Sequence, residues 1–152
     1  ENGRCEAAEV AALCLANLYN SGGHRKITPD EYETIKKYLQ KFPESMHIRA
    51  AFIIASEAIY SPSAEYKRVP DKIINKAKQW SEQYPKKIEF QEAYFGLLFS
   101  RLKYAQAQDM RNEQRRVYRE MKTVAERANY SEYNESNQLM ESVDILHRVF
   151  GY

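Results

Sequence analysis

The residues able to do covalent or metal chemistry are few in this 152-residue chain, and their spacing keeps them apart. His24, His47 and His147 are its three histidines, and none has a second histidine or a cysteine at the short spacings from which zinc sites are built. Cys5 and Cys14, placed on one helix, face opposite sides about 13 Å apart along the axis, beyond the reach of a disulfide. Glu89 and Glu92 share a helix face, as a paired-carboxylate acid–base site requires, although such pairs are more often simply solvated. Ser100 has no sequence partner marking it as a nucleophile. Glycine-rich phosphate loops, nucleophile elbows and zinc-hydrolase helices are absent from the sequence. The expectation is a chain that is not an enzyme, with no catalytic residues, no metal and no cofactor.

The remaining chemistry is electrostatic. The formal net charge is only +2, but it is unevenly spread: Arg101 to Arg127 holds eight basic residues against four acidic ones, and Asn129 to Tyr152 holds four acids against Arg148 alone. Arg111 opens the basic segment, and Arg115, Arg119 and Lys122 fall at i, i+4 and i+7, a stripe along which phosphates could lie. Glu113, Glu120 and Glu126 share the segment, and Arg116 with Glu120 at i, i+4 reads as an ordinary surface pair. Nucleic acid bound by residues 111–127 is therefore the alternative reading.

These residues must be positioned by helices. Hydrophobic residues make up 43% and charged residues 29%, with 5 Gly and 5 Pro, the make-up of a folded domain rather than a disordered chain. A chain of this length reads as one domain, 1–152, able to bury roughly 70% of its unfolded surface. Seven helical segments follow from apolar periodicity: about 5–19, 29–42, 45–60, 70–84, 87–106, 112–129 and 131–150. Thr28-Pro29-Asp30-Glu31 is a capping box with proline at the first helical position. Prolines 43, 62 and 85 fall just beyond helix ends. No apolar run approaches a membrane span, so no membrane partner is expected. Two thiols suit a reducing compartment, and the expected location is cytoplasmic. The chain starts Glu1-Asn2-Gly3 without methionine, as a fragment of a longer protein or a processed product would.

Two segments match at an offset of forty-two residues. Tyr38 to Phe42-Pro43 overlies Trp80 to Tyr84-Pro85, and Ile48, Ala51, Phe52 and Ala55 overlie Phe90, Ala93, Tyr94 and Leu97, each set on one helix face. A forty-six-residue shift carries Tyr84 onto Tyr130 and brings Leu139, Met140 and Val143 into the same places. An aromatic-proline helix end, a short link and a helix with a small–aromatic pair resembles the tetratricopeptide-like repeats of bacterial proteins. The period exceeds their usual thirty-four residues and falls in the HEAT-like range, and Tyr38 and Trp80 stand where a small residue is usual. The resemblance implies an all-α, right-handed α-solenoid of about three stacked antiparallel helix pairs plus a C-terminal helix.

Stacked pairs of this kind share a continuous core and leave an extended concave surface. On the helix 87–106 an apolar arc of Phe90, Ala93, Tyr94, Leu97, Leu98 and Leu102, widened by Phe95 and Phe99, leaves the strip Glu89, Glu92, Gly96, Ser100 and Lys103. The matching strip earlier is His47, Ala50, Ile54 and Ala58, and on the last helix Glu135, Gln138, Ser142 and Val149. The strip is either a groove for a protein or peptide partner or the solvent side of amphipathic helices. Gly96 stands mid-helix, where glycine costs about 1 kcal/mol against alanine, so a neighbouring helix or a ligand is expected to approach it closely. The expected function is a non-catalytic interaction module, scaffold, adaptor or regulatory, that binds a partner protein or peptide in this groove. The repeat places Trp80 in the core, and Trp80→Ala is expected to cost about 3–5 kcal/mol in urea unfolding; an unchanged midpoint would show the helix register to be wrong.

Overall fold

The computed structural model describes residues 2–20, with side chains for 3–16, then 26–60, 67–131 and 137–152. His24, Pro62 and Glu135 lie outside the described residues. Seven helices make up the described chain: α1 (Asn2–Asn20), α2 (Pro29–Lys41), α3 (Met46–Tyr60), α4 (Asp71–Gln83), α5 (Ile88–Ala107), α6 (Arg111–Ala128) and α7 (Gln138–Phe150). No strand occurs among the described residues, so the fold is all-α. None of the described helices is long and apolar enough to cross a membrane.

The start of α2 follows the sequence signal closely. The Glu31 N–H donates to the Thr28 hydroxyl at 3.2 Å, and the Thr28 N–H donates to the Glu31 carboxylate at 2.9 Å. The start of α7 does not. It lies at Gln138 rather than near Ser131, because Asn137 caps it, accepting from the Met140 N–H while its amide donates to the Ala125 carbonyl.

The chain divides into two compact units, Glu1–Ile59 and Tyr60–Tyr152. In the first, α1 packs on α2, and Tyr32 of α2 stacks on Phe52 of α3 with ring centroids 5.8 Å apart. The Tyr32 hydroxyl lies 2.7 Å from the Ser56 hydroxyl. Ser45, just before α3, donates to Glu9 of α1 at 2.6 Å. In the second unit α4, α5, α6 and α7 pack each on the next. Cross-links at both ends of each pair make them antiparallel: α5 reaches α4 through Gln91 to Ser81 and through Arg101 to Asp71.

The helix ends forty-two residues apart adopt the same backbone. Phe42 has φ −129° and ψ 65°, Tyr84 has φ −118° and ψ 60°, and each N–H closes on the carbonyl four residues back. Three residues on, the N–H of Ser45 and of Lys87 returns to the carbonyl of Phe42 and of Tyr84. A buried polar side chain then latches each turn. Arg49 donates through Nε to the Pro43 carbonyl at 2.7 Å and through Nη2 to Glu44 at 3.0 Å. Gln91, again forty-two residues later, donates to the Ser81 and Tyr84 carbonyls at 3.0 and 3.1 Å, and the Ser81 hydroxyl donates to its Oε1.

Phe52, Ala55, Trp80, Tyr94, Leu97 and Leu98, the core expected from the sequence, are no more than 6% exposed. Gln91 is fully buried, and losing its amide leaves two carbonyls with one partner fewer. Gln91→Leu is expected to lower stability by about 1–3 kcal/mol, read as a shift in urea midpoint; a neutral result would mean that water replaces the latch.

Candidate functional site

A cleft of about 610 Å³ lies in the second unit, over the face of α5 flanked by α4 and α6. Its α4 wall is Asp71, Ile74, Asn75 and Lys78, spaced i, i+3, i+4 and i+7, and therefore on one face. Its α6 wall is Glu113, Arg116, Val117 and Glu120, with the same spacing, and Met110 precedes it. Tyr94, Leu98 and Arg101 of α5 form the floor, and Arg68 closes one end.

The arginines of this cleft are held by its carboxylates. Arg101 is buried, its side chain only 5% exposed. A buried guanidinium needs both opposite charge and acceptors. Arg101 finds them in Asp71 at 2.6 Å, Glu113 at 3.5 Å and the Val69 carbonyl at 3.0 Å. Arg116 grips Glu113 with two bonds of 2.9 and 2.8 Å, so it pairs with Glu113 and not with Glu120 as the sequence suggested. Glu120 instead accepts from the Tyr94 hydroxyl at 2.9 Å. Burial foremost, and the Glu120 charge next, push the Tyr94 phenol far up, which keeps it a donor. The hydrogen bond from Arg101 holds the Asp71 carboxyl below its usual range, and the bonds from Arg116 do the same for Glu113. At the far end, beyond the cleft, the Ser81 hydroxyl takes a bond from Arg127 of α6 at 2.7 Å. No lining residue is Ser, Thr, Cys or His. The groups present can hold and orient a ligand by charge, hydrogen bonds and apolar contact.

The cleft opens on the face of α5 about half a turn from the strip expected to bind, since Tyr94, Leu98 and Arg101 oppose Glu92, Gly96, Ser100 and Lys103 at 3.6 residues per turn. Along that strip Glu89 and Glu92 are exposed, Gly96 and Lys103 half-buried, and Ser100 buried, its hydroxyl turned to the Gly96 carbonyl at 3.2 Å. Lys103 sets its ammonium over the rings of Phe99 and Phe150. Gln138 of α7 is exposed. In the first unit His47 is exposed, while Ala50 and Ile54 are buried at 9% and 8%. The expectation of an open strip thus fails at Ala50, Ile54 and Ser100. The physical reason is that α3 and α5 are apolar nearly all round, and such helices are covered on most sides. Arg111, Arg115, Arg119 and Lys122 are all exposed. Arg111 lies 3.5 Å from Asp109, and Arg119 donates to the Arg115 carbonyl.

Sequence reasoning missed Arg101, which it counted only as a basic residue. The available signal was its place on the apolar arc, one turn from Leu97 and Leu98. These features define a helical protein with a charged, apolar-floored cleft built from three consecutive helices. Comparison with protein-family models, curated proteins and solved structures finds no match for this chain.

The carboxylates carry a pH prediction. Their folded pKa values are lowered, so the stability they contribute is present above their ordinary values of 3.8 for Asp71 and 4.5 for Glu113, and is lost as pH falls through the depressed ones. Burial raises the half-buried Glu57, which acts in the opposite sense. The urea midpoint of Asp71→Asn is therefore expected below that of the parent at pH 7, with the gap closing toward pH 3. A gap independent of pH would remove the ionic component.

Proposed function

We propose that this chain is a non-catalytic interaction module whose cleft between α4 and α6 receives a segment of a partner protein. The observation that carries this reading is the cleft itself. Its volume lies within the range of ligand-binding pockets, roughly 300–1,000 Å³. Its floor and walls offer Leu98, Ile74 and Val117 beside charged groups, and in its hydroxyl–carboxylate pair, Tyr94 with Glu120, burial pushes the phenol up rather than activating it. Apolar contact beside charged groups is a usual feature of protein-recognition surfaces. The recurrence of the aromatic-proline turn and its polar latch at forty-two residues supports a tetratricopeptide-like helical repeat, with successive pairs stacked as a right-handed solenoid. The cleft lies on the opposite face of α5 from the strip assigned to the concave surface of such a repeat, and the peptide reading rests on the cleft rather than on that strip.

The test is a random-peptide display selection on the folded chain, with bound peptides mapped by amide hydrogen exchange. Selected peptides are expected to protect α4 and α6 and to bind at least about tenfold more weakly to Asn75→Trp, which fills the cleft from an exposed position. Protection elsewhere, or no enrichment over a scrambled pool, would sink the reading.

A second reading rests on the exposure of Arg115, Arg119 and Lys122 along α6: nucleic-acid phosphates follow that stripe. Its affinity would then fall steeply with salt, by a slope near 0.7 per phosphate neutralised on a single strand, whereas peptide binding in the cleft would fall only mildly.

A further inference from the structure

The hydrogen-bonding capacity of the cleft is lopsided. The Glu113 oxygens both accept from Arg116, and Oε1 also lies 3.5 Å from Arg101. Asp71 Oδ1 accepts from Arg101 and Arg68, and its Oδ2 faces Arg68 at 3.4 Å. Glu120 accepts from Tyr94. The cations are less fully used. A guanidinium carries five N–H donors; both bonds of Arg68 to Asp71 leave from Nη2, and those of Arg116 to Glu113 leave from Nε and Nη2. Lys78, exposed on the α4 wall, has no acidic partner among the described residues. Of the charged groups lining the cleft, four are cations (Arg68, Lys78, Arg101, Arg116) and three are carboxylates. The helices α4 and α6 both begin at the arginine end, and neither Pro70 nor Met110 supplies a side-chain cap. Their uncapped N–H groups add positive potential there.

Resting on the peptide reading above, we infer that the occupant of the cleft is an acidic segment in extended conformation, with two carboxylates bracketing an aliphatic side chain. One carboxylate meets Lys78, the other meets Arg116 and Arg68, and the aliphatic group lies over Leu98 between Ile74 and Val117. The spacing follows from the walls. Lys78 is seven residues, about 10 Å, along α4 from Asp71 at the arginine end. An extended chain covers that distance in three residues at about 3.3 Å each. Successive side chains of an extended chain alternate sides, so acids three positions apart turn to opposite walls, one to Lys78 on α4 and one to Arg116 on α6. The recognised pattern is two such acids with aliphatic residues between them against Ile74 and Val117. A basic segment would meet four cations, and would find its acceptors mainly in the second Glu120 oxygen and the Asn75 amide.

Fluorescence anisotropy with three labelled, end-capped ten-residue peptides tests this. They carry Asp-Val-Leu-Asp, Asn-Val-Leu-Asn or Lys-Val-Leu-Lys in one Ser/Gly frame. The aspartate peptide is expected to bind at least about tenfold more tightly than the asparagine peptide, with the lysine peptide weakest. Lys78→Glu is expected to abolish that preference. Lys86→Glu, the same charge change at an exposed position between α4 and α5 outside the cleft lining, is expected to leave it intact. Equal binding of the aspartate and asparagine peptides overturns the charge inference while leaving a peptide cleft in place. Equal losses in the two lysine variants reduce the preference to net charge and overturn it too. If none of the three binds by about 1 mM, the acidic pattern is wrong, and the display selection then decides whether the cleft takes peptides at all.

Discussion

A guanidinium leaves water only where opposite charge and acceptors surround it, and in the second unit Arg101 satisfies that condition by gathering three helices. Its partners come from the start of α4, from the Val69 carbonyl just before it, and from the first turn of α6. Removing any of them leaves a buried charge short of compensation, a far larger penalty than the modest gain of an exposed pair. The arrangement therefore sets where α4 and α6 begin relative to α5. At the opposite end Gln91, Ser81 and Arg127 form a second polar tie across the same helices, and Tyr94 with Glu120 lies between the two.

The cleft is a consequence of these ties. Helices α4 and α6 each pack on α5, and the polar links hold their facing residues above its floor. The acids on the walls hold arginines and a tyrosine, which ties the walls together. Structural demand thus shapes the surface of the cleft: donors and a surplus of positive charge beside Leu98, Ile74 and Val117. The same pairing speaks against reactivity, because a carboxylate held low by arginine is a poor base at neutral pH and a phenol pushed up is a poor nucleophile.

The first unit uses related devices with different residues. Arg49 latches the Phe42-Pro43 turn as Gln91 latches Tyr84-Pro85, and Tyr32 with Ser56 places a hydrogen-bonded pair within a stacked aromatic contact. A turn that ends a helix leaves carbonyls without intrahelical partners, and both latches answer that need with a long polar side chain from the next helix. The shared demand accounts for two chemically unlike residues at equivalent positions.

The sequence by itself determined the all-α class, the limits of α2 to α6, the capping box at Thr28, and the burial of Phe52, Trp80, Tyr94 and Leu97. These follow from local periodicity, caps and prolines, which act within a turn or two of the chain. Only the tertiary structure decided that Ser100, Ala50 and Ile54 are covered, and that the cleft opens over Tyr94, Leu98 and Arg101. Periodicity reports that a residue faces an apolar arc, but not which part of the arc a neighbouring helix covers. The partner of a charge likewise depends on which helices meet and in what register. Arg101 sits at the boundary: its place among leucines was legible, while its carboxylates, thirty residues before it on α4 and twelve after it on α6, came within reach only when the three helices packed.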